Sequence, residues 1–147
     1  LRRHSFRCKI QLMSTPEILI IDDDEINNFV LKNVILRAFS DARIQIVSEG
    51  QAGLDFLANR RSEGTDPPGI ILVDINMPVL NGFEFLDAYQ ERFLNKHSHV
   101  YMVSSSISKE DQKRSYSYDF VQGYITKPLV NQNVVFIVDE YLQTRQN

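Results

Sequence analysis

The chain has 147 residues, of which 43% are hydrophobic and 24% charged, with a formal net charge of −3. That is one domain's worth of ordinary globular composition, enough to bury a core without staples. The acidic balance argues against a general nucleic-acid binder, no apolar run is long enough to span a membrane, and a lone cysteine, Cys8, excludes a disulfide framework or a cysteine metal cluster.

Residues 1–12 differ in character from the rest of the chain. They carry Arg2, Arg3, Arg7 and Lys9 and no acid. Their apolar residues are too scattered for a secretory signal core. The segment reads as a leader or disordered arm, with Met13 before "STPEILII" as a natural start. One domain is therefore expected over 13–147.

In chain order, "EILII" (17–21) comes first. It is short, apolar and rich in isoleucine, as in a strand buried on both faces. It runs straight into Asp22, Asp23, Asp24 and Glu25. Residues 25–39 set Ile26, Phe29, Val30, Val34 and Phe39 at helical spacing, which predicts a stripe facing the core. Asp24 and Glu25 suit the start of that helix through its dipole. "RIQIV" (43–47) alternates, Ile44 and Ile46 against Arg43 and Gln45, which predicts an edge strand. Residues 50–60 form a shorter helix carrying Ala52, Leu54, Phe56 and Leu57. "RSEGTDPPG" (61–69) is a loop by composition.

"GIILV" (69–73) is the third strand and ends at Asp74. Asn81 beside Gly82 reads as a turn residue. Residues 82–94 place Phe83, Phe85, Leu86, Tyr89 and Phe93 on a helix. His97 and His99 precede the fourth strand, "VYMVS" (100–104), and read as solvent-facing. That strand ends at Ser104, with Ser105 and Ser106 in the loop beyond. "SKED" (108–111) resembles a capping box and opens a polar helix to about Tyr118. "GYIT" (123–126) leads into Lys127 and Pro128. Residues 131–144 put Val134, Ile137, Val138, Tyr141 and Leu142 on one helical face.

Strands alternating with helices predict an α/β fold, a doubly wound five-stranded parallel sheet with helices on both faces. Ligands in such sheets lie outside the carboxyl ends of the strands. Asp22, Asp23, Asp74, Ser104 and Lys127 all fall at those ends. Two charges 4 Å apart repel by about 4 kcal/mol at an effective dielectric of 20, so clustered carboxylates call for a cation. A hard divalent cation suits oxygen ligands, and Mg²⁺ is the usual choice where phosphate also binds. A metal and a lysine beside one carboxylate are equipment for phosphoryl transfer, and the carboxylate itself can be the nucleophile.

"ILIIDDDE", "ILVDINMPVLNGFEF", "VYMVSSS" and "GYITKPL" resemble, in order, the four signature segments of bacterial two-component response-regulator receiver domains. The resemblance covers about residues 17–144. It implies the flavodoxin-like (βα)5 fold with strand order 2-1-3-4-5. It implies Asp74 as phosphoacceptor, with Ser104 and Lys127 contacting the phosphoryl group. Asp22, Asp23, Asp74 and the main-chain carbonyl of Asn76 match the Mg²⁺ site. Ser104 and Tyr124 match the switch pair, Pro128 the Lys-Pro pair that is often cis, and Gly82 the end of the "MPVLNG" turn. Ser106 lies where family members tune water access to the phosphoryl group.

The implied function is a stand-alone, chemotaxis-receiver-like signalling phosphoacceptor in the cytoplasm, with self-catalysed phosphotransfer and slow autodephosphorylation, not a classical enzyme. A histidine kinase or histidine phosphotransfer protein supplies the phosphoryl group. The surface made by residues 108–118, 123–126 and 131–144 then changes to regulate an output protein, with no direct nucleic-acid contact. Three alternatives stand beside it. One is a receiver excised from a larger regulator. Another is a haloacid-dehalogenase-type phosphatase, although "INMP" after Asp74 lacks that class's second acid. The third is a flavodoxin-like cofactor binder, although "DDDE" would repel an anionic flavin phosphate.

Overall fold

Ile18–Ile21 (β1) is the hub of the sheet, pairing in parallel with Ile44–Val47 (β2) on one side and Ile70–Asp74 (β3) on the other. His99–Ser104 (β4) and Val121–Thr126 (β5) extend the sheet beyond β3, giving the order β2-β1-β3-β4-β5. The computed structural model describes residues 14–146, so the expected leader or arm at 1–12, with Cys8, lies outside the described residues. The helices are Glu25–Ala38 (α1), Gly50–Glu63 (α2), Gly82–Arg92 (α3), Lys109–Tyr116 (α4) and Asn131–Gln146 (α5). No helix among the described residues is long and apolar enough to cross a membrane.

Alternation along each strand divides the core. Ile18, Ile20, Ile70, Leu72, Tyr101 and Val103 meet Leu31 and Ile35 of α1 and Val134, Ile137 and Val138 of α5. Leu19, Ile21, Ile71, Val73 and Met102 meet Leu54 and Leu57 of α2 and Phe83, Phe85, Leu86 and Tyr89 of α3. Successive side chains of a strand point to opposite faces, so a sheet buried on both sides needs an unbroken apolar run. β2 lacks one and lies at the edge, as its alternation predicts.

Three expectations need correction. The stripe predicted for α1 is rotated: Ile26, Phe29 and Val30 are 79%, 70% and 47% exposed, and the buried residues are Asn28, Leu31 and Ile35. A helix with apolar residues on several sides takes its rotation from what it packs on. Here Leu31 and Ile35 enter the α5 side of the core, and Asn28 Nδ2 is held by the Asp22 carbonyl at 2.8 Å.

His99 is buried rather than solvent-facing, its ring in edge contact with Tyr141 at 5.2 Å. β4 begins at His99, so alternation places it on the same side as Tyr101 and Val103. Burial pushes the His99 pKa down. His97 is exposed, as expected.

α2 runs to Glu63, beyond the predicted end at residue 60, and stops where Gly64 takes up the left-handed conformation at φ 69°. Polar "RRSE" carries no apolar period but propagates an existing helix until a glycine ends it.

Candidate functional site

The site is built from strand ends. Ile21 pairs with Val73, so the next residues, Asp22 and Asp74, lie side by side at the carboxyl edge. Ser104 pairs with Thr126, and the Lys127 N–H donates to the Ser104 carbonyl at 2.9 Å. The peptide bond between Lys127 and Pro128 is cis. Sheet order makes β1, β3, β4 and β5 consecutive neighbours, which brings these residues together.

Lys127 Nζ lies 2.6 Å from Asp22 Oδ2 and 3.2 Å from Asp74 Oδ1. Asp22 and Asp74 are almost fully buried, whereas Asp23 is exposed. Burial first, and the Asp22 charge next, push the Asp74 pKa up to about 6 against the pull of Lys127. Burial pulls the Lys127 pKa down, but Asp22 and Asp74 together outweigh it and hold the ammonium above its ordinary value.

Carboxylate oxygens of Asp22, Asp23 and Asp74 lie within 4.8 Å of one another. Mg²⁺ binds oxygen at about 2.0–2.1 Å and so spans ligands about 4 Å apart. Three carboxylates face one ammonium here, so the donor set fits a hard divalent cation. Asn76 sits in the exposed loop after β3.

The edge is held by residues that the strand and helix periods do not single out. Asp22 Oδ1 accepts the Asp24 N–H at 2.9 Å, and its Oδ2 accepts Asn27 Nδ2 at 3.2 Å. Asn28 holds the Asp22 carbonyl. The available signal was "INN" directly after the acidic run, two amides where a core face would be apolar. Asp24 caps α1, its Oδ1 accepting the Asn27 N–H at 3.0 Å. Asn81 does more than turn the chain: with Glu84 it forms a full capping box that starts α3. Gly82 is required beside it, because a Cβ there would lie 2.5 Å from the Asp74 carbonyl oxygen.

Ser104 is fully buried, and its Oγ accepts the Ser106 N–H at 3.0 Å. Tyr124 is half-buried and packs on the α3 side of the core. Its hydroxyl donates to the Ser106 carbonyl at 2.7 Å. Ser104 and Tyr124, predicted as a pair, are thus joined through Ser106.

Known proteins share this fold. The family model for the response regulator receiver domain matches residues 18–139. A crystallised two-component response regulator from Cytophaga hutchinsonii is 32% identical, with a TM-score of 0.82 over 89% of this chain and 99% of that one. Chemotaxis protein CheY of Halobacterium salinarum is 24% identical over 86% of this chain and 96% of its own length. Hybrid signal transduction histidine kinase I of Dictyostelium discoideum is 26% identical over 80% of this chain, which spans 7% of that protein. The phosphatase and flavodoxin readings give way to the family match. The chain belongs to the response regulator receiver domains of two-component signalling systems.

Proposed function

We propose that this chain accepts a phosphoryl group on Asp74 from a histidine kinase or histidine phosphotransfer protein. The observation that carries the reading is the Lys127 ammonium set between Asp22 and Asp74 at 2.6 and 3.2 Å, at an edge where Asp23 adds a third carboxylate. An Asp74 oxygen attacks phosphorus, the O–P bond forms, and the P–N bond to the donor imidazole breaks with its electron pair staying on nitrogen. Lys127 binds a phosphoryl oxygen, and the Ser104 hydroxyl donates to another.

Asp22, Asp23, Asp74 and the Asn76 carbonyl are the proposed Mg²⁺ ligands. The bound cation neutralises charge on the transferring group. Asp22 is oriented for that role by Asp24 N–H and Asn27 Nδ2.

The exposed Ile26, Phe29 and Val30 give α1 an apolar face that starts one turn from Asp22 and Asp23. That face offers a protein phosphodonor contact area next to the acceptor. Tyr124, Ser106 and α4 form the output side, where phosphorylation biases an equilibrium between two arrangements. The domain proposed for this function spans 13–147, acting in the cytoplasm.

Incubation with acetyl phosphate and Mg²⁺, followed by intact-mass and peptide mapping, tests the reading. One added phosphoryl group on Asp74 supports it. Phosphate mapped to a serine, or no adduct with steady phosphate release, overturns it.

A further inference from the structure

Ser106, in the loop after β4, is hydrogen-bonded to four other residues. Its N–H donates to Ser104 Oγ at 3.0 Å, and its carbonyl accepts the Tyr124 hydroxyl at 2.7 Å. Its side chain bonds to the start of α4 instead. The hydroxyl donates to Asp111 Oδ2 at 2.7 Å, and Oγ accepts the Ser108 N–H at 3.1 Å. The Asp111 N–H donates in turn to Ser108 Oγ at 3.3 Å. These bonds close a ring through Ser106, Ser108 and Asp111.

The ring has a chemical cause. In a capping box the carboxylate at the third helical position reaches back to the N-cap N–H. Aspartate is one methylene shorter than glutamate, and the Ser108 N–H bonds to Ser106 Oγ. The Ser106 hydroxyl fills the gap as a relay, accepting from the cap and donating to the carboxylate. The capping box expected of "SKED" is thus completed by a residue outside it. A hydrogen bond to an ionised carboxylate is about twice as strong as a neutral one. Ser115 is the one residue α4 buries, and its later turns are held from outside by Arg114 over the Phe83 ring at 4.2 Å and by the Tyr116 hydroxyl, which accepts the Tyr124 N–H at 3.2 Å. Elements with few buried contacts are the ones that move at low cost.

We infer that Ser106 is the positioning residue that passes a displacement of Ser104 to the first turn of α4, through Asp111. The inference rests on the phosphoacceptor reading above. A Ser104 hydroxyl drawn toward a phosphoryl group carries the Ser106 N–H bonded to the same oxygen. Ser106 is tied to α4 by two side-chain bonds, so the start of the helix moves with it. Tyr124 registers the same displacement through the Ser106 carbonyl. Two outputs therefore branch at one residue, and the branch to the first turn of α4 needs its hydroxyl, whereas the last turn is also reached from Tyr124, whose N–H donates to the Tyr116 hydroxyl at 3.2 Å.

That asymmetry is measurable by amide NMR of the full chain with Mg²⁺ and beryllofluoride, a phosphoryl mimic. The wild type is expected to shift at Tyr124 and across 109–116. Ser106→Ala should keep the Tyr124 shift and lose more than half of the shift across the first turn, 109–112, with Ser106→Thr restoring it. Asp111→Ala should give the same loss, and the double variant no greater loss, because both residues act in one path. Wild-type shifts across 109–112 in both single variants overturn the inference, and so does an α4 already unfolded in unliganded Ser106→Ala. A wild type that responds nowhere to beryllofluoride overturns the phosphoacceptor reading, and the coupling with it.

Discussion

The Lys127 ammonium sits closer to Asp22, at 2.6 Å, than to Asp74, at 3.2 Å. A cation bound at the carboxylates competes with the lysine for Asp22. Lys127→Ala is therefore expected to bind Mg²⁺ about tenfold more tightly, a gain of about 1.4 kcal/mol. Asp23→Asn, which removes an exposed carboxylate proposed as a ligand, should weaken binding by tenfold or more. Calorimetric titration measures both. Unchanged affinity in Asp23→Asn would remove that residue from the metal site.

Asp74 carries a pH dependence with a definite sign. Its pKa is about 6 in the folded protein against an ordinary 3.8. The metal-free folded state thus holds the proton more tightly than the unfolded chain. The resulting stabilisation is present below about pH 3.8 and lost as pH rises through about 6, an effect of about 3 kcal/mol. Asp74→Asn should melt higher than the metal-free wild type at pH 8 and lose this part of the pH dependence. Denaturant unfolding at several pH values provides the check, and parallel curves for the two proteins would contradict it.

Ser104→Ala leaves Asp74 and Lys127 in place and should still accept phosphate from acetyl phosphate. It removes a charge-assisted hydrogen bond of about 1.5–3 kcal/mol, enough to change a two-state population roughly ten- to a hundredfold. The Tyr124 shift on adding beryllofluoride should shrink accordingly. An undiminished shift would show that Ser104 does not reach Tyr124.

The exposed face of α1 separates protein donors from small ones. Phe29→Asp, at a position 70% exposed, should fold normally. Labelling by acetyl phosphate should stay within twofold of wild type, while transfer from a phosphorylated partner protein slows about tenfold or more. Equal transfer rates would place the partner elsewhere.

Val79 stands at φ 68° and is 96% exposed. The Leu80 N–H reaches the Pro78 carbonyl at 2.8 Å across it, a tight turn of the strained hand. A β-branched residue there costs about 1–3 kcal/mol. Val79→Asn should raise the melting temperature by about 3 °C. A lower melting temperature would mean that the side chain makes contacts offsetting the strain.

The sequence itself determined the elements and the chemistry at their ends. Strand runs, the edge position of β2 and the core faces of α3 and α5 arise from the periods of two and 3.6, which depend on neighbours along the chain. The grouping of Asp22, Asp74, Ser104 and Lys127 was legible because each ends a strand or comes directly after one, and parallel strands share a carboxyl edge.

Tertiary structure decided what depends on partners far away in the chain. Apolar residues occupy more than one side of α1, so its pattern permits several rotations; packing against α5 and the Asn28 bond to Asp22 selected the one that exposes Phe29. A strand one residue longer at β4 placed His99 inside against Tyr141. The preference of Lys127 for Asp22, and the convergence of Ser104, Tyr124 and Asp111 on Ser106, are distances across the fold. A hydrogen bond requires its atoms within about 3.2 Å in a suitable direction, and no local pattern along the chain encodes that.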